Sequence, residues 1–381
     1  MNVHPSLFGT SLRSILRKLC VALVVLMPVC AAGQTNPHFD VSLRVDFSSA
    51  DELLDFLSYR TNNAERSARQ PGNLIAAATS LLLARTDRPP EDFALALQSG
   101  REAYSGGKDI YGLRSTVTNL EQLKKLLAET KKRRLDRRVV ATIASFFPDD
   151  ASVSLTVPVY VVAMGNENAS AFVRRVAWKN NAPVFVGEGE GEQVIVLNLT
   201  RCLDGGDNVD REFIQVLSTL AHECFHAVYG AYRSAVTSAP SPNAPVFALA
   251  DLVQNEGIAY KLSLEIQAGG AMPPPPWFDA TGRAVRALNS ALLELQSPSL
   301  TPSRARELLM NSNLSGSFEG NYGATAGLRM AYEIDSKLGR QVLTETIREG
   351  TKSFFMKYLE LCRRDSNLPR LEERAVRFLL E

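Results

Sequence analysis

Histidine is scarce in this chain: four occur in 381 residues, at positions 4, 38, 222 and 226. Cysteine is scarce too, at five, and it falls to Cys202, Cys224 and Cys362 once a leader containing Cys20 and Cys30 is set aside. An odd, sparse set of this kind is no disulfide framework. A Cys202–Cys362 bridge stays open in an oxidising compartment, and Cys224 reads as a small core residue. The net charge is only +1, so the whole chain has no field with which to gather polyanions. Its strongest apolar run, Leu19–Met27, is too short to span a bilayer comfortably. Repeats and long low-complexity tracts are missing, which removes solenoids and disordered arrays. What remains is 45% hydrophobic residues, enough for the ample core of an ordinary globular protein.

The beginning of the chain sets the expected compartment. Arg13, Arg17 and Lys18 precede the apolar run, and the small residues Ala31-Ala32-Gly33 follow it. A positive region, a short apolar core and a small-residue cleavage site form a secretory signal peptide, here residues 1–33 with cleavage before Gln34. A secreted or periplasmic protein is expected, with no stable membrane span after signal removal. A lipoprotein anchored through Cys30 fits less well, because Pro28 and Val29 precede that cysteine.

With His4 in the leader, two of the three remaining histidines fall in His222-Glu223-Cys224-Phe225-His226. The spacing is H-E-x-x-H. Residues i and i+4 stack on one face of an α-helix, so His222 and His226 can grip one metal ion, and Glu223 can reach a water bound to it. The segment from Arg211 to Arg233 contains no proline and reads as that helix. Asp207 and Asn208 supply cap chemistry, and Asp210 and Glu212 put negative charge at its positive end. Phe213, Leu217, Leu220, Cys224 and Val228 form the apolar stripe. The two histidines project from the other side, with Gln215, Ser218, Thr219 and Tyr229.

A catalytic zinc needs a third protein ligand and an open fourth position. His38 opens the mature chain and is a poor candidate, so the reading turns to Glu256. It sits in Asn255-Glu256-Gly257-Ile258-Ala259, within a second expected helix from Val246 to Gln267. Leu249, Leu252, Val253, Ala259, Tyr260 and Leu264 share its side, whereas Asp251, Gln254, Lys261 and Glu265 are expected to point away. An ionised carboxylate on an apolar stripe is costly unless it is paired or bound to metal. Gly257 would let another backbone come close.

These two motifs, H-E-x-x-H and a downstream N-E-G-x-A, resemble those of the glutamate-type zincins (gluzincins, in the peptidase MA-like superfamily). The whole chain looks closest to uncharacterised zinc-dependent peptidases of that group. The likeness covers roughly Gln193 to Tyr358. A third stretch, Tyr322-Gly323-Ala324-Thr325-Ala326-Gly327, is similar to one in the aminopeptidase-like branch, where a tyrosine opening a helix helps hold the oxyanion. The resemblance implies one Zn2+ per chain held by His222, His226 and Glu256, which activates water for attack on a peptide bond. It implies Glu223 as general base and Tyr322 as a hydrogen-bond donor to the developing oxyanion. Aminopeptidase specificity does not carry over. The interval from His226 to Glu256 is longer and contains the turn-rich Ser238–Pro245, and Glu167 in Met164–Asn168 reads as a loop residue.

The expected fold is α+β and predominantly helical. Residues 34–145 form a helical N-terminal region, with helices expected over Ala50–Ser58, Gly72–Ala84 and Asn119–Leu135. Residues 146–381 form a zincin-like metallopeptidase domain, which opens on the strand-like segments Val153–Val162, Val184–Val186 and Gln193–Leu199. From Val246 onward the pattern is helical apart from Gly269–Pro276, a stiff loop ending in four prolines. A peptide or protein substrate is the expected partner and nucleic acid is not. Two other readings stay open: a metal-containing binding protein without turnover, and a binder of anionic surfaces or nucleic acid through the basic run Lys131–Arg138. That run also carries the nearby acids Glu121, Glu129 and Asp136, which would make it a solvated helix face.

Overall fold

Alternation of apolar and polar side chains in Phe39-Asp40-Val41-Ser42-Leu43-Arg44-Val45-Asp46 builds the first strand, β1 (Phe39–Asp46). The computed structural model describes residues 39–89, 91–98, 109–165, 170–187, 189–203, 208–236, 244–270, 281–313 and 321–380. The expected leader with its cysteines, His38, Glu167, most of the Ser238–Pro245 insert and the four prolines lie outside these residues.

Helices follow β1 directly: α1 (Ser48–Leu57), α2 (Ala64–Ala68), α3 (Pro71–Leu83), α4 (Asp92–Gln98), α5 (Leu113–Thr118), α6 (Leu120–Lys132) and α7 (Leu135–Ala144). Four strands come next: β2 (Val153–Val162), β3 (Ala171–Lys179), β4 (Ala182–Phe185) and β5 (Glu192–Asn198). The remainder is helical: α8 (Leu199–Cys202), α9 (Val209–Val236), α10 (Ala244–Ala268), α11 (Thr281–Leu295), α12 (Pro302–Asn313), α13 (Tyr322–Leu338), α14 (Arg340–Glu349), α15 (Thr351–Arg364) and α16 (Glu373–Leu380). The fold is a predominantly helical α+β arrangement around one small mixed sheet, as the sequence suggested.

The sheet runs β1-β2-β5-β3-β4. β1 and β2 pair in parallel from Phe39 opposite Val153 to Asp46 opposite Tyr160. β2 and β5 are also parallel, whereas β3 runs antiparallel to both β5 and β4. The β3–β4 hairpin turns on Asn180 and Asn181, with φ of 51° and 62°. Positive φ at both positions is the demand of a type I′ turn, which asparagine meets at low cost.

Two strands went unread in the sequence, β1 and β3. In β3, Arg174 and Arg175 interrupt the apolar alternation; in the fold Arg174 lies over the rings of Phe172 and Phe185, so its stem and plane are packed. The described residues belong to one compact unit, 38–381. β1, from the first expected region, pairs along its length with β2 from the second. Phe39, Phe147 and Phe225 stack in series (centroids 5.6 and 5.3 Å apart), tying β1 to the long helix α9. No helix among the described residues is long and apolar enough to cross a membrane.

Candidate metal centre

The side chain of Asn208 caps α9, accepting from the backbone N–H groups of Asp210 and Arg211 at 3.1 and 3.0 Å. The uninterrupted helix then places His222 and His226 one turn apart, with their Nε2 atoms 3.0 Å from each other. α10 crosses α9 and brings in Glu256, whose Oε2 lies 3.5 Å from His222 Nε2 and whose Oε1 lies 3.5 Å from His226 Nε2. A tetrahedral ion with bonds near 2.0–2.2 Å holds its ligand atoms roughly 3.3 Å apart. The three separations straddle that value within a few tenths of an ångström. Two imidazoles and a carboxylate are also the donor set that borderline ions such as zinc accept. The residues fit the ion.

Glu256 is only 8% exposed. Burial pushes its carboxyl up, but His226, His222 and the Asn313 amide together pull it further down, so it stays ionised. Asn255, the residue before it, accepts from His226 Nδ1 at 2.9 Å. In the neutral ring, a donor at Nδ1 leaves the Nε2 lone pair to face His222 and Glu256. Glu223 is half-buried beside the histidines. Burial pushes its carboxyl up to about 7, Glu256 adds to the rise and His226 opposes it.

The polar faces are partly covered: Gln215, Thr219, His222 and His226 keep partial exposure, but other members do not. Ser218 and Tyr229 on α9 are fully buried, as are Gln254 and Lys261 on α10. Asp251, also expected to point away, accepts the Tyr229 hydroxyl at 2.8 Å, and Gln254 lies 3.1 Å from the same oxygen. Gln254 donates in turn to the Thr346 carbonyl at 2.9 Å. Lys261 is neutralised by Glu265 and Asp335. Helical phase shows where the apolar residues lie, but it does not count the layers that pack on the other side.

The two tyrosines of interest occupy different places. Tyr322 opens α13 as expected, and its hydroxyl donates to the Leu308 carbonyl of α12 at 2.7 Å. Tyr260, one turn beyond Glu256 on α10, packs edge-on against His222 with ring centroids 4.5 Å apart. Burial, then the charges of Glu256 and Glu223, raise its phenol well above the ordinary tyrosine value, so it remains a proton donor. Sequence reading missed the contacts that Tyr260, Asn255 and Asn313 make with His222, His226 and Glu256. The i+4 spacing from Glu256 to Tyr260 was a usable signal, whereas Asn313 is brought in by tertiary folding alone.

Elsewhere, the basic run is matched by acids. Lys131 pairs with Asp51, Lys132 and Arg133 with Glu129, Arg133 also with Asp210, and Arg134 with Asp136. Arg133 and Arg138 lie over the Phe213 ring. The thiols of Cys202 and Cys362 point to separate carbonyls, Asn198 and Pro369, and no disulfide joins them.

A protein-family model, DUF5700, described as "putative zinc dependent peptidase", matches residues 66–367, and the chain belongs to that family. Searches of curated proteins and of solved structures found no match.

Proposed function

We propose that this member of a zinc-peptidase family is an exported metallopeptidase of the glutamate-zincin type, hydrolysing peptide bonds at a zinc held by His222, His226 and Glu256. The observation that carries the reading is the convergence of two imidazole nitrogens and one buried carboxylate at spacings that match a tetrahedral ion. When bound, zinc supplies an acidified water and a Lewis acid for the scissile carbonyl.

The chain's own residues supply the rest. Glu223, beside His222 on the same helix, takes the proton of the attacking water and returns it to the leaving amine nitrogen. Asn255 holds the His226 ring in one tautomer. The phenol best placed to donate to the developing oxyanion is Tyr260, which rests on His222. The charges of Glu256 and Glu223 act on that phenol, whereas the hydroxyl of Tyr322, the donor expected from the resemblance, donates to the Leu308 carbonyl. Export rests on the pattern of residues 1–33.

Metal content and hydrolysis of a broad peptide library, measured on the mature chain, test this reading. One zinc per chain is expected. Glu223→Gln should keep the zinc and lose activity by roughly 10²–10⁴-fold, the usual share of a general base. Glu256→Ala should lose the zinc. A chain that takes up no zinc, or a Glu223→Gln variant with full activity, overturns the proposal. Bound zinc with no turnover of any peptide would leave a metal-containing binding protein as the better description.

A further inference from the structure

Asn313, the last residue of α12, donates its side-chain N–H to Glu256 Oε1 at 2.6 Å. Three elements converge to make that contact. A Cβ on Gly323, in the first turn of α13, would lie 2.8 Å from the Ser312 Cβ and 3.3 Å from Leu252 Cδ2 of α10. The last turn of α12 is therefore wedged between α13 and α10, and Asn313 ends directly over the carboxylate. The Tyr322 hydroxyl, bound to the Leu308 carbonyl, ties the preceding turn of α12 to the start of α13.

We infer that Asn313 is a positioning residue for the third metal ligand: its amide fixes the Glu256 carboxylate so that it faces both histidines, and thereby sets metal affinity without touching the ion. The inference rests on Glu256 being a ligand, as proposed above. The chemistry of the donor favours this role. A lysine or arginine at this place would cancel the carboxylate charge that an ion needs. A neutral amide orients the carboxylate and leaves its charge available. It also satisfies a buried oxygen that would otherwise be costly. Glu256 carries several rotatable bonds, and without this donor its head group can swing off the histidines. Outer partners of this sort are worth roughly 10–100-fold in metal affinity.

The test uses the mature chain, Asn313→Leu and Asn313→Ala, with Zn(II) and Co(II) as probes. Zinc affinity is read by competition with a chromophoric chelator, the Co(II) visible spectrum reports ligand geometry, and the melting temperature of metal-free protein reports the fold. Zinc dissociation constants raised roughly 10–100-fold, a changed Co(II) spectrum and unchanged metal-free melting support the inference. If Asn313→Leu fails to fold, the smaller Asn313→Ala decides on the same readouts. Unchanged affinity and an unchanged spectrum overturn it, as does lower metal-free melting with unchanged affinity, which would make the contact structural only. Wild type that binds no zinc overturns the ligand assignment itself; wild-type binding with unaffected variants overturns only the role of Asn313.

Discussion

At the scale of single residues, the two tyrosines are separable by experiment because they sit in different places: the Tyr260 ring packs on His222, whereas the Tyr322 hydroxyl donates to the Leu308 carbonyl. Tyr260→Phe removes a donor beside His222, and we expect kcat to fall by roughly 10²–10³-fold with zinc content unchanged. Tyr322→Phe removes a bond to the Leu308 carbonyl, a loss of about 1 kcal/mol of stability with kcat largely kept. Steady-state kinetics and a denaturant titration on the same two proteins decide. A large kcat loss in Tyr322→Phe with Tyr260→Phe active would return the oxyanion role to Tyr322. The difference also marks what single residues disclose in sequence. His222, Glu223 and His226 are legible because one helical repeat brings them together. Glu256 is legible because a carboxylate on an apolar stripe demands a partner. Asn313 is 57 positions from its partner and carries no periodic signal, so only the fold reveals it.

Between elements, the decisive contact is the crossing of α10 and α13. A Cβ on Gly257 would meet the Gly327 carbonyl carbon at 2.2 Å, and a Cβ on Gly327 would meet the Val253 carbonyl oxygen at 2.0 Å. The helices touch backbone to backbone, as the glycine beside Glu256 suggested from sequence. Gly257→Ala should therefore destabilise by about 1–3 kcal/mol, because the opposing atoms are backbone and cannot turn aside. It should also weaken zinc binding, since pushing α10 outward moves Glu256 with it. Gly230→Ala on α9 is the control: nothing lies within 4 Å of its Cβ, and the gain in helix propensity should raise stability by up to about 1 kcal/mol. Thermal melts and zinc titrations of both variants check the pair; a Gly257→Ala protein as stable as wild type would mean the helices separate freely. Periodicity found α9 and α10 but misjudged their far sides, because Gln254 and Lys261 are satisfied by Thr346, Glu265 and Asp335 from distant or later turns. Strand β1 was legible in its alternation and went unread only because it stands alone ahead of a helical stretch.

For the whole molecule, the proposed ligands, from His222 to Glu256, link two long helices, and both helices pack within the single unit of residues 38–381. An ion bound there is held by the native state and released on unfolding, so metal and fold are coupled. Composition alone placed this chain among ordinary globular proteins. It could not show that β1 returns to the sheet and joins the two expected regions, which depends on a pairing between positions 39–46 and 153–160. Because that pairing makes one unit, the coupling should be felt by the main unfolding transition. At free zinc about 100-fold above its dissociation constant, the native state gains roughly 2.7 kcal/mol. With an unfolding entropy near 2.1 cal/mol/K per residue, that corresponds to a rise in Tm of roughly 4 °C. Calorimetry should show the rise on adding zinc, its reversal by chelation, and its loss in Glu256→Ala. A zinc-bound protein whose main transition ignores the ion would mean that α9 and α10 open locally before the sheet unfolds, so that the site can exchange its metal without global unfolding.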